Sequence, residues 1–266
     1  MKEIGIDELR VIQLDMLKDI HTFCVKHEIR YSLAFGTLLG AVRHNGYIPW
    51  DDDIDIMMPR ADYNWFVLSY GNQIYRIADL SVNPDYVDPF AKVEDTRTVV
   101  EEYEEGGALT FGVYIDVFPV DNVPDDLSER MAFYRKKRFW NVLYELKRIK
   151  VKKGRSFVKN LALMAGHSFL FFISRRQLAH KMSELASKYQ GQKTTFMGIV
   201  TPADSRIEEA VPSSCFEEYI ELPFESINVM SIKNYDCYLS AAFGDYMQLP
   251  PEEKRVSHHV FKAYWR

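Results

Sequence analysis

Strands and helices that interleave without a regular βα repeat predict an α+β fold for this 266-residue chain. Three stretches carry that reading: an amphipathic helix at 7–28, a strongly apolar strand at 112–120, and a region at 126–190 that helices should mostly fill. Apolar residues make up 47% of the chain, which supplies a core and argues against general disorder.

Along 7–28, Leu9, Ile12, Met16, Ile20 and Phe23 recur at three- and four-residue steps, as one helix face requires. Residues 31–35 form a short apolar strand, after which Gly36-Thr37 introduces a helix at 38–43. Asn45-Gly46 and Pro49 make 44–50 a loop. A strand at 54–58 stops at Pro59, and 60–70 is helical with Tyr63, Phe66, Val67 and Tyr70 on one side. Strands at 90–94 and 98–102 are near enough in sequence to form a hairpin. The remainder mixes strands at 219–222 and 227–232 with a helix at 235–243. No repeat or low-complexity linker divides the chain. It reads as one domain over 1–266, with core segments at about 28–125 and 191–266 and a helical insertion at about 126–190.

Cys24, Cys215 and Cys237 are odd in number, widely spaced and without a CxxC, so a disulfide framework and a zinc site are not expected. The opening ten residues are polar and acidic rather than a secretory leader, and reduced thiols fit a cytoplasmic protein. Net charge is -5 but uneven: residues 131–181 hold 14 Lys or Arg against one acid, Glu145, leaving -18 elsewhere. That acidic remainder, with no binding motif, argues against nucleic acid as a partner.

The most informative segment runs Trp50-Asp51-Asp52-Asp53-Ile54-Asp55-Ile56-Met57-Met58-Pro59. Alternation along a strand puts Asp53 and Asp55 on one face, with Ile54, Ile56 and Met58 on the other. Two carboxylates about 6–7 Å apart along a strand repel unless a cation lies between them. Magnesium suits that task, since it takes oxygen ligands and is held by one or two carboxylates plus substrate phosphates. Asp51 and Asp52 fit a solvated acidic turn. Asp116 stands alone as a charge in the apolar run Gly112-Val113-Tyr114-Ile115-Asp116-Val117-Phe118-Pro119. An isolated buried carboxylate is costly, so it needs either a shared metal or a salt bridge to an Arg or Lys.

Gly36 and Thr37 follow a strand and open a helix, where free backbone N–H groups attract anions; a plain cap is the alternative. Arg43 and His44 close that helix and either aim a cation at phosphate or cap its C-terminus. Lys92, among apolar strand neighbours, is either a phosphate contact or an exposed strand lysine.

The order of these pieces resembles the LicD/fukutin-type family of transferases. The likeness is carried by Phe35-Gly36-Thr37-Leu38-Leu39-Gly40-Ala41-Val42-Arg43-His44, then Gly46-Tyr47-Ile48-Pro49-Trp50-Asp51-Asp52-Asp53-Ile54-Asp55. It continues at Lys92-Val93-Glu94-Asp95, Ile115-Asp116-Val117-Phe118-Pro119, and Phe243-Gly244-Asp245-Tyr246-Met247 through to His258. The resemblance implies a nucleotidyltransferase-like core with a mixed β-sheet. It implies transfer of phosphocholine or a similar phospho-linked group from a CDP-activated donor such as CDP-choline. The acceptor would be a hydroxyl of a teichoic acid or lipopolysaccharide precursor, and CMP would leave. Asp53, Asp55 and Asp116 would hold Mg2+, with Mn2+ as the alternative, and Asp116 would serve as base. Gly36, Thr37, Arg43, His44 and Lys92 would face the donor, with Asp51, Arg255 and His258 as further candidates. A nucleotidyltransferase acting on a small molecule and a non-catalytic membrane-surface scaffold are the competing readings. The aromatics Tyr47, Trp50, Tyr114 and Trp265 offer a cage for a quaternary ammonium or else belong to core and rim.

Residues 157–173 are apolar but interrupted by Lys159, Asn160, His167 and Ser168, with basic residues on both flanks. A span needs about 20 predominantly apolar residues. The segment therefore reads either as a helix lying on an anionic leaflet, giving peripheral membrane association through 150–176, or as a buried core helix with a solvated basic face.

Overall fold

The computed structural model describes residues 1–102, 111–149, 156–202, 204–256 and 261–266. In chain order its elements are β1 (Glu3–Ile4), α1 (Ile6–Lys26), β2 (Ser32–Leu33), α2 (Phe35–His44), β3 (Asp55–Pro59), α3 (Arg60–Ser69), β4 (Tyr75–Ala78) and β5 (Ala91–Asp95). There follow β6 (Thr98–Glu102), β7 (Tyr114–Val123), α4 (Leu127–Arg148), α5 (Phe157–Phe169), α6 (Arg175–Ala186), β8 (Phe196–Ile199) and β9 (Val211–Pro212). The chain closes with β10 (Tyr219–Phe224), β11 (Ile227–Ile232), α7 (Tyr235–Phe243) and β12 (Phe261–Trp265).

The main sheet has the order β2-β3-β7-β5-β4, with β8 paired to β7 and β9 to β8. The β3–β7 pair is parallel and the other pairs are antiparallel, which makes the sheet mixed. β7 is central because it is apolar at both parities: Ile115, Val117, Val120 and Val123 are all buried. Met16, Leu17 and Ile20 of α1, Phe66 of α3, and Ile54, Ile56 and Met58 around β3 join it in one core. A second cluster seats α4 and α6 on β4 through Ala78, Tyr86, Tyr144, Leu178 and Met182.

The expected hairpin at 90–102 does not form. β5 pairs with β4 and β7, whereas β6 joins a separate antiparallel sheet, β1-β12-β6. The corner is fixed by Asp95, which is fully buried and takes Arg97 Nε at 3.0 Å and Nη2 at 2.6 Å. Gly112 passes so close that a Cβ there would collide with the Asp95 carbonyl oxygen. A like approach explains Gly40, whose missing Cβ leaves room for the Gly46 carbonyl beneath the Asn45 turn. Asn45 itself sits at φ 56°, the left-handed cap that ends α2.

α3 is pinned to β7 by a buried ion pair. Arg60 donates from Nε to Asp121 Oδ1 at 2.7 Å and from Nη2 to Oδ2 at 2.6 Å. Asp121→Ala leaves the guanidinium uncompensated and should lower stability by about 3–5 kcal/mol in urea unfolding. A loss below about 1 kcal/mol would mean that water already screens the pair.

Lys137 of α4 is buried, and its ammonium donates to the Ser205 carbonyl at 3.0 Å. Burial pulls its pKa down to about 8 from 10.5, with Asp204 and Glu209 opposing the fall. Between those values the unfolded chain keeps a proton that the native chain has shed, so this group makes stability rise with pH across that window. Below about pH 8 both states are protonated and the cost of burying the charge is constant. Unfolding free energies of the wild type minus those of Lys137→Met should therefore climb between about pH 8 and 10.5; a flat difference would refute the assignment.

Candidate active site

The register between β3, β7 and β5 builds the site. Asp55 pairs with Asp116 across the parallel strands, and Lys92 pairs with Asp116 across the antiparallel ones. Residues opposite each other share a sheet face, so Asp55, Asp116 and Lys92 form one row. The strand order puts Lys92 on the side of Asp116 away from Asp55. Its Nζ lies 2.6 Å from Asp116 Oδ1 and 3.7 Å from the Tyr114 ring centre. Lys92 is buried, which corrects the exposed-lysine reading, and its ion pair with Asp116 is the salt-bridge alternative to a shared metal.

Asp53 reaches the row from the loop before β3. Asp53, Asp116 and Asp52 line one small cavity with Gln13 and Tyr114. Carboxylate oxygens of Asp51, Asp52 and Asp53 lie within 4.8 Å of one another, close enough to share a hard cation. Asp52 is buried, so the solvated-turn reading fails for it. The density of negative charge registers at Asp55. Its burial, then Asp53, Asp116 and Asp51, push its carboxyl well above the ordinary range, while Lys92 pulls it down. A group of oxygen donors carrying more negative charge than its cation offsets is chemically suited to a divalent ion.

α2 begins earlier than the sequence suggests, so Gly36 and Thr37 lie in its first turn. A Cβ on Gly36 would come within 2.8 Å of Asp51 Oδ2, placing the helix start against the acidic loop. Thr37 is buried and accepts the Asp55 backbone N–H at 2.8 Å, which fixes where β3 starts. Thr37 thus positions an acid.

Arg43 and His44 lie at the other end of α2. Arg43 donates to His44 Nε2 at 3.0 Å and to the Tyr246 carbonyl at 2.8 Å. Burial, then Arg43, lowers the His44 pKa. His44 lies edge-on to Trp50, and the Arg255 guanidinium stands 5.7 Å from that ring. Arg43, His44 and Arg255 therefore gather around Trp50, the residue before Asp51. His258 lies outside the described residues. The four aromatics do not make a shared cage. Tyr47 faces Arg10, Trp50 faces Arg255, Tyr114 faces Lys92 and Trp265 faces Arg97, so each ring already has its own cation.

The profile of the family described as LicD/FKTN/FKRP, nucleotidyltransferase domain, matches residues 28–164, more than half of the chain. The chain belongs to this family. It is 29% identical over 270 residues to the lipopolysaccharide cholinephosphotransferase LicD of Haemophilus influenzae, covering 99% of both chains. Shorter matches of 63 residues link it to uncharacterised proteins of Rickettsia typhi and Rickettsia prowazekii. The first is 44% identical and spans 23% of this chain and 20% of the relative; the second is 51% identical and spans 23% and 24%.

Two site residues lie before the LicD family match, on α1, and escaped the sequence reading. Arg10 Nη2 donates to the carbonyls of Pro49 and Asp51 at 3.1 and 2.6 Å, and Gln13 Nε2 donates to that of Asp52 at 3.0 Å. They hold the acidic loop by its backbone. Gln13 carried a signal: it sits four residues after Leu9, on the apolar stripe itself, where a polar side chain needs a partner.

Thr37→Val should leave the Asp55 N–H unsatisfied and cost about 1–3 kcal/mol in chemical unfolding, while Thr37→Ser stays within about 1 kcal/mol of wild type. Equal losses in the two variants would show that the hydroxyl is not what holds the strand start.

Proposed function

We propose that this chain transfers phosphocholine, or a closely similar phospho-linked group, from a CDP-activated donor to a glycan hydroxyl of a cell-surface precursor, and that the reaction depends on magnesium. Full-length likeness to a lipopolysaccharide cholinephosphotransferase supports the chemistry of the transferred group and a lipopolysaccharide-type acceptor. The observation that carries the reading is the row of Asp55, Asp116 and Lys92 with Asp53 beside it, an arrangement suited to a diphosphate and its counter-ion.

Asp53, Asp55 and Asp116 would hold the ion, with Asp51 and Asp52 adjoining. When bound, Mg2+ neutralises charge on the diphosphate and on the departing CMP. The chain's own contribution is placement and proton handling. Arg10 and Gln13 fix the acidic loop, and Thr37 fixes the start of β3. Lys92 holds Asp116 by one oxygen, which orients the carboxylate within the row. A carboxylate oxygen of Asp116 then takes the proton of the acceptor hydroxyl as its oxygen bonds to the β-phosphorus. The bond from that phosphorus to the CMP oxygen breaks in the same displacement. General-base assistance of this kind is worth about 10²–10⁴-fold in rate. Arg43 and Arg255, at the Trp50 edge, would meet the nucleotide phosphate.

Asp53→Ala, Asp55→Ala and Asp116→Ala should each reduce transfer from CDP-choline by about 10³-fold or more while the melting transition persists, and EDTA should abolish the wild-type reaction. Mass spectrometry decides the group moved: the acceptor gains phosphocholine. Gain of a nucleoside monophosphate, or activity that survives EDTA, would refute the proposal.

A further inference from the structure

α5 is amphipathic but turned inside out. Its packed side is narrow: Gly166 meets the Leu146 side chain of α4, and His167 Nε2 lies 2.8 Å from the Leu146 carbonyl. At 100° per residue the opposite arc collects Phe157, Val158, Leu161, Met164 and Phe169, and these are 79, 71, 54, 55 and 82% exposed. No residue of this helix is buried. The turn after it repeats the pattern. Leu170 is buried as an anchor, while Phe171 and Phe172 are 73 and 90% exposed. Scattered exposed apolar side chains are ordinary, but a contiguous face of this kind marks an interaction surface. The expected alternative, a buried core helix, is thereby excluded.

Charge identifies what this face meets. Lys159 is exposed in the first turn of α5, and Lys147 lies in the last turn of α4, one residue after Leu146. Arg135, Lys136 and Arg138 are exposed on α4 beside exposed Phe139. Arg175 and Arg176 do not add to this surface. Arg175 pairs with Asp88, and Arg176 donates to the carbonyls of Leu80, Asn83 and Tyr86. A second copy docking through the same face would bring two positive regions together. An anionic lipid leaflet satisfies both halves of the surface, since apolar side chains enter the acyl boundary and flanking cations meet phosphates. With 13 residues, α5 spans about 20 Å, and no helix among the described residues is long and apolar enough to cross a membrane.

We infer that the exposed face of α5 and the following Phe171-Phe172 turn dock this chain on anionic membranes, independently of the reaction it catalyses. The test is co-sedimentation of the full chain with phosphatidylglycerol–phosphatidylcholine vesicles against phosphatidylcholine alone. The wild type should bind the anionic vesicles, with affinity falling as salt rises. Leu161→Ser combined with Phe169→Ser and Phe172→Ser should weaken binding by about tenfold or more without moving the melting temperature, because all three side chains are exposed. Lys147→Glu with Lys159→Glu should weaken it selectively for anionic vesicles. No binding by the wild type, or equal binding by the serine variant, would overturn the inference. So would sedimentation velocity showing a lipid-free dimer that the serine substitutions dissolve, since the face would then join two copies.

Discussion

Two carboxylates set side by side by the parallel register of β3 and β7 are the constraint around which this structure is arranged. Asp55 and Asp116 stand opposite each other across the two strands, on the face away from the buried pair Ile56 and Val117. A slip of one residue in either strand would exchange every inward and outward side chain. The register of the two strands therefore brings together like charges whose repulsion the sheet alone cannot relieve. Lys92, on the third strand, offsets part of it, and the raised pKa of Asp55 registers what remains. Such repulsion on neighbouring interior strands, with Asp116 lining a cavity, favours positive charge at that place.

Much of this was legible in the chain because it is local. The alternation of Asp55-Ile56 is written in consecutive residues, although Asp53, expected on the same strand face, lies in the loop before β3, and Asp116 stood out as a lone charge in an apolar run. The helical character of 126–190 was legible as well, though not where one helix ends and the next begins; α4, α5 and α6 fall within it. What was not legible was non-local. Nothing in the sequence couples Arg10 and Gln13 to carbonyls some forty residues onward, because a backbone acceptor has no sequence signature. The split of β5 and β6 between two sheets was hidden for a similar reason. A two-residue link normally signals a hairpin, and only Gly112 pressing on Asp95, with β12 arriving from the far end of the chain, diverts it. Arg43 was read for its charge, whereas its geometry is set by the Tyr246 carbonyl about two hundred residues away.

The positive charge of 131–181 likewise divides into two populations that composition could not separate. Arg175 and Arg176 are structural. They tie α6 to the loop after β4, where a forked guanidinium can satisfy several acceptors at once. Lys137 is buried against a carbonyl. Arg135, Lys136 and Arg138 on α4 and Lys159 at the start of α5 remain exposed, and Lys147 is half-buried at the end of α4. A surplus that looked like one basic patch is therefore part scaffold and part surface, and only the second part can answer to a charged partner.

Under the proposed reaction, the same accounting bears on how an anionic donor is recognised. A diphosphate approaching Asp51, Asp53, Asp55 and Asp116 meets like charge. Lys92, in contact with Asp116, is already engaged by the row it belongs to. Arg43, His44 and Arg255 stand around Trp50 at one edge, adjoining the acids through Asp51. Among the described residues, these cations would hold one end of a nucleotide without neutralising a diphosphate over the carboxylate row. Donor affinity and divalent-ion affinity must then be thermodynamically linked, each raising the other by the same factor. This coupling follows from the register of three strands: an acid row built to exclude phosphate alone becomes a phosphate site when it carries the ion.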